Sequence, residues 1–144
     1  MVLEAFRTQF QLEQLTVWTT AHWCISVRPA PATLGALVIS ARREATSLAE
    51  LTPDEGADLT VAIGWVETKL RQHFQPEKFN YLALMMVDPL VHFHVIPRYH
   101  QPRQFGGLEW LDAGWPKPPE LGAYAERKNH PVLHELVRAL RSGS

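Results

Sequence analysis

One segment of the chain, VDPLVHFHVIPRY at residues 87–99, constrains the fold strongly. It is apolar almost throughout, which is typical of a buried strand, yet it places His92 and His94 two residues apart. Alternate side chains of a strand face opposite ways, so both histidines and Leu90 share one face. The side chains of the other face are apolar and are predicted to pack on the core: Val91, Phe93 and Val95. We expect the histidine face to be accessible and to carry a functional site.

Two helices are indicated by their start signals and apolar spacing. Thr52 is a suitable N-cap, Pro53 suits the first helical position, and Glu55 completes a capping box. Apolar residues then recur at helical spacing to about Phe74. A second run with the same spacing predicts a C-terminal helix over residues 131–141.

Strands are predicted on both sides of the long helix. Residues 21–28 and 34–39 are rich in β-branched and aromatic side chains and are expected to pair as neighbours. Residues 79–87 are predicted to form a strand that turns tightly at Asp88-Pro89 into the histidine strand, as an antiparallel hairpin. The pattern favours the α+β class, with a largely antiparallel sheet and helices packed on one side.

The length of 144 residues predicts a single domain spanning residues 1–144. We expect its core in about residues 20–100, followed by an irregular, proline-rich loop over 101–130 and the helix at 131–141.

Composition excludes several classes of partner and site. The chain has 14 basic and 15 acidic residues, so no general nucleic-acid or membrane surface is expected. Cys24 is the only cysteine, which rules out an intrachain disulfide and a cysteine-based zinc cage. The sequence has no glycine-rich phosphate loop of the dinucleotide or P-loop type, and no apolar run of about 18 residues. We expect a cytoplasmic protein without a cofactor.

Four features together resemble the histidine triad (HIT) family of nucleotide hydrolases and transferases. VHFHVIPR (91–98) resembles its signature strand, His-apolar-His-apolar-His followed by two apolar residues. GALVISARRE (35–44) is similar to its glycine-led strand and basic turn, and SLAELTPDE (47–55) to the opening of its long helix. Asn80 lies where the family often has an asparagine. The tail DAGWPKPPELG resembles that of a bacterial, diadenosine polyphosphate hydrolase-like branch that also departs from the full triad.

The resemblance implies a HIT-like fold and a specific reaction. His92 matches the nucleophile, which attacks the α-phosphorus of a nucleotide ester, anhydride or amidate and forms a nucleotidyl-histidine that water resolves. His94 matches the last triad histidine, which contacts a phosphate oxygen. A neutral imidazole is available at cytoplasmic pH because its ordinary pKa is about 6.5. The other ring nitrogen of the nucleophile needs an acceptor, usually a backbone carbonyl. The resemblance also implies a homodimer.

The chain departs from the family pattern at several substrate-binding positions. The first triad position is Leu90, and MMVDP replaces the polar phosphate-binding loop. Ala36 stands where a histidine commonly follows the glycine of the earlier strand, and Arg28 lies in the ribose-binding region. Dinucleoside polyphosphates, nucleoside phosphoramidates and mononucleotide anhydrides would all present the same α-phosphorus to the nucleophile.

Arginine side chains are the candidates to replace the lost polar contacts. Guanidinium groups match phosphate oxygens well, so Arg98 or Arg28 is predicted to hold phosphate, with Asn80 as a further substrate-binding residue. The loop bearing Trp110 and Trp115 could cover a nucleotide base, pack on a partner subunit or close the sheet edge.

Two other functions remain open. Because Leu90 and the apolar loop remove polar contacts, the chain could be a nucleotide-binding protein with little or no turnover. Alternatively, His92 and His94 could supply two ligands to a metal ion, with a third from a residue such as His100 or Asp88.

Overall fold

The computed structural model describes residues 1–142. They form a five-stranded antiparallel sheet in the order β1-β2-β3-β5-β4, a separate two-stranded hairpin, and four helices. The predicted α+β class with a largely antiparallel sheet is confirmed. The elements within these residues are α1 (Val2–Gln9), α2 (Leu12–Leu15), β1 (Thr16–Thr19), β2 (Trp23–Val27), β3 (Leu37–Ala41), α3 (Pro53–Phe74), β4 (Lys78–Leu82), β5 (His92–Arg98), β6 (Arg103–Phe105), β7 (Leu108–Trp110) and α4 (Val132–Arg141).

Helix α3 begins at the predicted capping box. The Thr52 hydroxyl accepts from the Glu55 backbone N–H at 3.1 Å, and the Glu55 carboxylate accepts from the Thr52 N–H at 2.9 Å. Arg43 donates to both Glu55 carboxylate oxygens, at 2.7 and 2.9 Å. The helix ends at Phe74, before Gln75 in a left-handed conformation, which confirms the predicted bounds. Its buried apolar stripe lies against the sheet: Ala62, Val66, Leu70 and Phe74.

The two faces of the sheet carry different chemistry. On the α3 face, the Trp23 indole N–H donates to the Glu55 carbonyl at 2.9 Å, and its ring lies 6.0 Å from that of Phe93. Because side chains alternate along β5, His92 and His94 project from the opposite face. The sheet therefore separates an apolar core layer from a layer that contains the histidines.

Helix α1 covers the histidine face, so helices lie on both sides of the sheet rather than on one. Phe6 of α1 and Phe10, which directly follows the helix, stack with ring centroids 4.1 Å apart, and both lie close to His92, at 5.0 and 5.5 Å. The prediction placed the core in residues 20–100, but buried residues extend it in both directions. Among them are Phe6, Phe10, Leu15, Trp110, Leu133 and Leu136.

The connection between β4 and β5 differs from the predicted hairpin. The two strands do pair antiparallel, as expected, but β4 ends at Leu82 and residues 83–91 form a loop. Met85 adopts a left-handed backbone conformation at φ 45°, which a strand does not accommodate. The backbone of Val91 then bonds to Ala41 and Ala45 rather than to β4. The apolar run at 79–87 was therefore only partly a strand.

The C-terminal third contains more regular structure than predicted. Within residues 101–130, β6 and β7 form a short hairpin that buries Trp110. Helix α4 confirms the predicted C-terminal helix and buries one apolar side, Val132, Leu133, Leu136, Val137 and Leu140. In residues 1–142, every helix is too short or too polar to cross a membrane.

We predict that Glu55→Gln lowers the free energy of unfolding by about 2 kcal/mol at pH 7, because the capping box and the Arg43 contacts both weaken. These contacts hold the pKa of the Glu55 carboxyl at about 2, below the ordinary value of about 4.3. The stabilisation is therefore present above pH 4.3 and is lost as the pH falls toward 2. Urea denaturation at pH 7 and pH 3 measures both effects.

Asp54→Asn is the matched control, because Asp54 is an exposed carboxylate in the same first turn. We expect it to cost about 0.5 kcal/mol through the helix dipole alone. Equal losses in the two variants would contradict the structural role given to Glu55.

Candidate functional site

The histidine face opens into one cavity of about 310 Å³. It lies between the C-terminal part of α1, the end of β2, the loop after β4 and the start of β5. Apolar and charged side chains share its wall, which is typical of a small-molecule site. The lining residues are Gln9, Phe10, Arg28, Pro29, Ala30, Leu84, Met85, Met86, Val87, Asp88, His92, His94 and Lys128.

His92 is oriented by a backbone carbonyl. Its Nδ1 lies 2.6 Å from the oxygen of Leu90. A carbonyl oxygen can only accept, so Nδ1 carries the proton and Nε2 holds the free lone pair. Burial lowers the pKa of His92, against smaller raising contributions from the Leu90 carbonyl and Asp88. His92 therefore presents a neutral, nucleophilic nitrogen at pH 7.

The Leu90 side chain itself takes no part in this contact. Leu90 precedes β5 and is fully buried in the apolar core. The residue at position 90 thus orients His92 through its main chain and not through its side chain.

His94 is a neutral hydrogen-bond donor toward the cavity. Its Nδ1 accepts from Arg28 Nε at 3.3 Å, so the ring proton is on Nε2. Burial, the Arg28 charge and His92 together lower the pKa of His94 to about 3. It can donate a hydrogen bond to a phosphate oxygen, but it holds no extra proton at neutral pH.

Arg28 lies beside the histidines, as predicted. Its Nη1 donates to the carbonyls of Ala30 at 2.7 Å and Leu121 at 3.0 Å, which fixes the guanidinium at the cavity wall. Its Nη2 makes no hydrogen bond with residues 1–142 and can serve a ligand. Burial lowers the pKa of Arg28, yet an arginine remains charged at neutral pH.

The structure does not bring Arg98 and Asn80 to the histidines. Arg98 forms a buried fork with the Asp112 carboxylate at 2.6 and 3.1 Å and also donates to Asn80 Oδ1 at 2.6 Å and to the Lys117 carbonyl at 2.7 Å. It lies four residues beyond His94 on β5, about 13 Å along the strand. Its guanidinium holds protein groups together rather than facing the cavity, so the geometry gives no support to a phosphate role for either residue.

The expectation of an accessible histidine face is wrong. His92 is 2% and His94 8% exposed, because Phe6 of α1 and Phe10 at its C-terminal end lie over them. The aromatic pair at i and i+4 in AFRTQF indicates one face of a helix, and that spacing was the available signal. Lys128, by contrast, has no local pattern that marks it as part of a site.

Within residues 1–142, no three His, Cys, Asp or Glu side chains are arranged to hold a metal ion. His100 instead lies near the Trp115 ring, with centroids 5.9 Å apart. The metal-binding alternative therefore lacks its third ligand in the described part of the chain.

Comparison with known proteins places this geometry in context. The HIT domain model matches residues 9–101. A histidine triad protein from Bradyrhizobium japonicum superposes with a TM-score of 0.64 at 20% identity, covering 93% of this chain and 92% of that one. The C. elegans NitFhit protein superposes with a TM-score of 0.63 at 21% identity, covering 89% of this chain and 27% of that one.

A hypothetical histidine triad nucleotide-binding protein from Sulfolobus tokodaii gives a TM-score of 0.62 at 16% identity, covering 93% of this chain and 88% of that one. No curated protein matches the sequence significantly. At these identities the likeness establishes a shared fold.

Asp112→Asn is predicted to lower the free energy of unfolding by about 3 kcal/mol, because it weakens the counter-charge of the buried Arg98 guanidinium. Chemical denaturation measures the change. Glu120→Gln removes an exposed carboxylate from the same segment and should change stability by less than about 0.5 kcal/mol. A cost for Asp112→Asn no greater than that of the control would contradict the account of the Arg98 cluster.

Acid should destabilise the protein partly through His94. Its pKa is about 3 when folded and about 6.5 when unfolded, so the unfolded chain takes up the proton first as the pH falls below 6.5. We expect the loss of unfolding free energy between pH 7 and pH 4.5 to be about 2 kcal/mol greater in the wild type than in His94→Asn. Urea denaturation of both proteins at the two pH values tests this, and parallel losses would refute it.

Proposed function

This chain belongs to the HIT domain family, and from that premise we propose that it is a nucleotide phosphohydrolase or nucleotidyl transferase that acts at an α-phosphate. His92 is the nucleophile and His94 a donor to a phosphate oxygen. Arg28 binds the same phosphate. A nucleotide as the partner is consistent with the likeness to the hypothetical histidine triad nucleotide-binding protein from Sulfolobus tokodaii.

The contact between His92 Nδ1 and the Leu90 carbonyl carries this proposal. It leaves Nε2 as the unprotonated nitrogen and turns it away from the backbone. A nucleophilic histidine needs this tautomer, because the attacking nitrogen must offer a lone pair. Since the acceptor is a carbonyl, Leu90 supplies it as well as a histidine would.

In the first step the Nε2–Pα bond forms and the bond from Pα to the leaving group breaks, with the electron pair departing on the leaving group. In the second step water attacks Pα and releases Nε2, and the water proton passes to solvent. Phosphate and polyphosphate leave as stable anions without protonation. Because its pKa is about 3, His94 is neutral at pH 7 and lacks the second ring proton that it would need to protonate an amine or alkoxide. These properties favour phosphoanhydrides, including diadenosine polyphosphates, over phosphoramidates.

The cavity has room for one nucleoside phosphate rather than two. Its volume of about 310 Å³ is at the lower end for small-molecule sites. In the proposed binding mode the nucleotide base packs on Phe10, Pro29 and Met85, and the α-phosphate faces His92 and Arg28, since these residues all line the cavity. The remainder of a dinucleotide would extend past the cavity mouth.

A nucleotide-binding protein without turnover is the second candidate function. The low exposure of His92 under α1 favours it, because the substrate must reach a covered nitrogen. The apolar loop at 84–87 favours it too, since it offers no polar side chain to the phosphates.

We also propose that the protein acts in the cytoplasm and as a homodimer, as the family resemblance implies. The sheet has two edge strands, β1 and β4, and such a dimer would use one of these edges together with helix α3.

The decisive assay is turnover of diadenosine tetraphosphate and adenosine phosphoramidate by wild type, His92→Asn and His134→Asn. We expect wild type to release AMP, faster from the tetraphosphate, and His92→Asn to lose about a thousandfold or more, because the covalent route disappears. His134 is exposed on α4, so its variant should retain wild-type rates.

Equal turnover by His92→Asn and wild type would reject His92 as the nucleophile. If wild type forms no product while calorimetry shows AMP binding, the protein is a nucleotide binder instead.

A further inference from the structure

The C-terminal segment at residues 111–130 forms part of the cavity although it lies outside the matched HIT region of residues 9–101. It reaches the cavity at two points. The Leu121 carbonyl accepts from Arg28 Nη1 at 3.0 Å, and the Lys128 side chain lines the cavity wall. Part of the site is therefore supplied by a region that the family model does not describe.

We propose that Lys128 binds the phosphate next to the one attacked, and so selects substrates with two or more consecutive phosphates. The inference rests on the proposed function, because it assumes a nucleotide with its α-phosphate at His92.

The backbone of Lys128 is anchored on both sides. Arg127 lies over the rings of Trp110 and Tyr124, at 4.4 and 3.8 Å from their centroids, and donates to the Glu109 carbonyl at 3.0 Å. These contacts connect Arg127, the residue before Lys128, to the hairpin formed by β6 and β7.

On the other side, the Asn129 side-chain oxygen accepts from Gln11 Nε2 at 3.1 Å, which ties the chain to the turn between α1 and α2. The contacts of Arg127 and Asn129 thus hold the backbone of Lys128 at the cavity. Its own ammonium is exposed and available to a ligand.

The charges around the cavity leave this role to Lys128. Both histidines are neutral at pH 7, since burial lowers the pKa of each. Of the charged residues that line the cavity, Arg28 is held against His94 beside the nucleophile, Asp88 repels phosphate, and Lys128 is the second cation. An ammonium on a long, exposed side chain of the cavity lining suits a phosphate that extends from the enclosed part of the site.

The test compares binding of AMP with that of α,β-methylene-ADP, whose bridging carbon prevents cleavage at that position. Calorimetry is performed on wild type, Lys128→Gln and Lys78→Gln. Lys78 is also an exposed lysine, lies on β4 outside the cavity lining, and its variant makes the same charge change.

In wild type we expect the diphosphate to bind more tightly than AMP. Lys128→Gln should reduce that preference about tenfold, from the loss of one charge-assisted contact, and should change AMP affinity less than twofold. Lys78→Gln should behave as wild type. An unchanged preference in Lys128→Gln, or an equal fall for both ligands, would overturn the proposal.

The two proposals fail in different ways. If wild type lacks turnover but Lys128→Gln still loses the diphosphate preference, catalysis at His92 is wrong and the role of Lys128 stands. Turnover that depends on His92, together with an unchanged preference, overturns the role of Lys128 alone. A wild type that shows no turnover and binds neither ligand overturns both.

Discussion

The buried ion pair between Arg98 and Asp112 fixes where the end of β5 meets the C-terminal segment. Two charges removed from water are costly unless their hydrogen bonds are nearly complete. Here the carboxylate also accepts from the Tyr99 N–H, and the guanidinium also serves Asn80 and the Lys117 carbonyl. The middle of β4, the end of β5 and the C-terminal segment are therefore joined at one point. The path of the C-terminal segment toward the cavity starts from this anchor.

The elements predicted well from sequence are those that local chemistry encodes. The capping box of Thr52 and Glu55 specifies where α3 begins, and the apolar spacing of α4 gives its bounds within one residue. The alternation in β5 correctly separated the two faces of the histidine strand. The motif at 91–98 led to the family, which the match over residues 9–101 established.

The errors arose where distant parts of the chain decide the outcome. Whether a polar face of a sheet meets water depends on what covers it, and α1 lies more than eighty residues before β5. Loop 83–87 is apolar but faces the cavity mouth, with Met86 82% and Val87 90% exposed, so hydrophobicity misled the strand prediction. Arg98 was predicted to bind phosphate because it ends the histidine strand, but in the fold it forms an ion pair with Asp112. Local rules are expected to fail near functional sites for this reason.

The carbonyl of Leu90 has a consequence for how such chains are recognised. The direction in which the His92 ring points is set by the path of the main chain, which any residue at position 90 can follow if it fits the core. Side-chain identity there is free to vary according to packing, while the geometry of the neighbouring imidazole persists. A sequence motif defined by side chains counts Leu90 as a mismatch, although the peptide group of this residue still orients the His92 ring. A substitution at such a position therefore reflects the packing of the surrounding core and does not by itself indicate a change in the reaction.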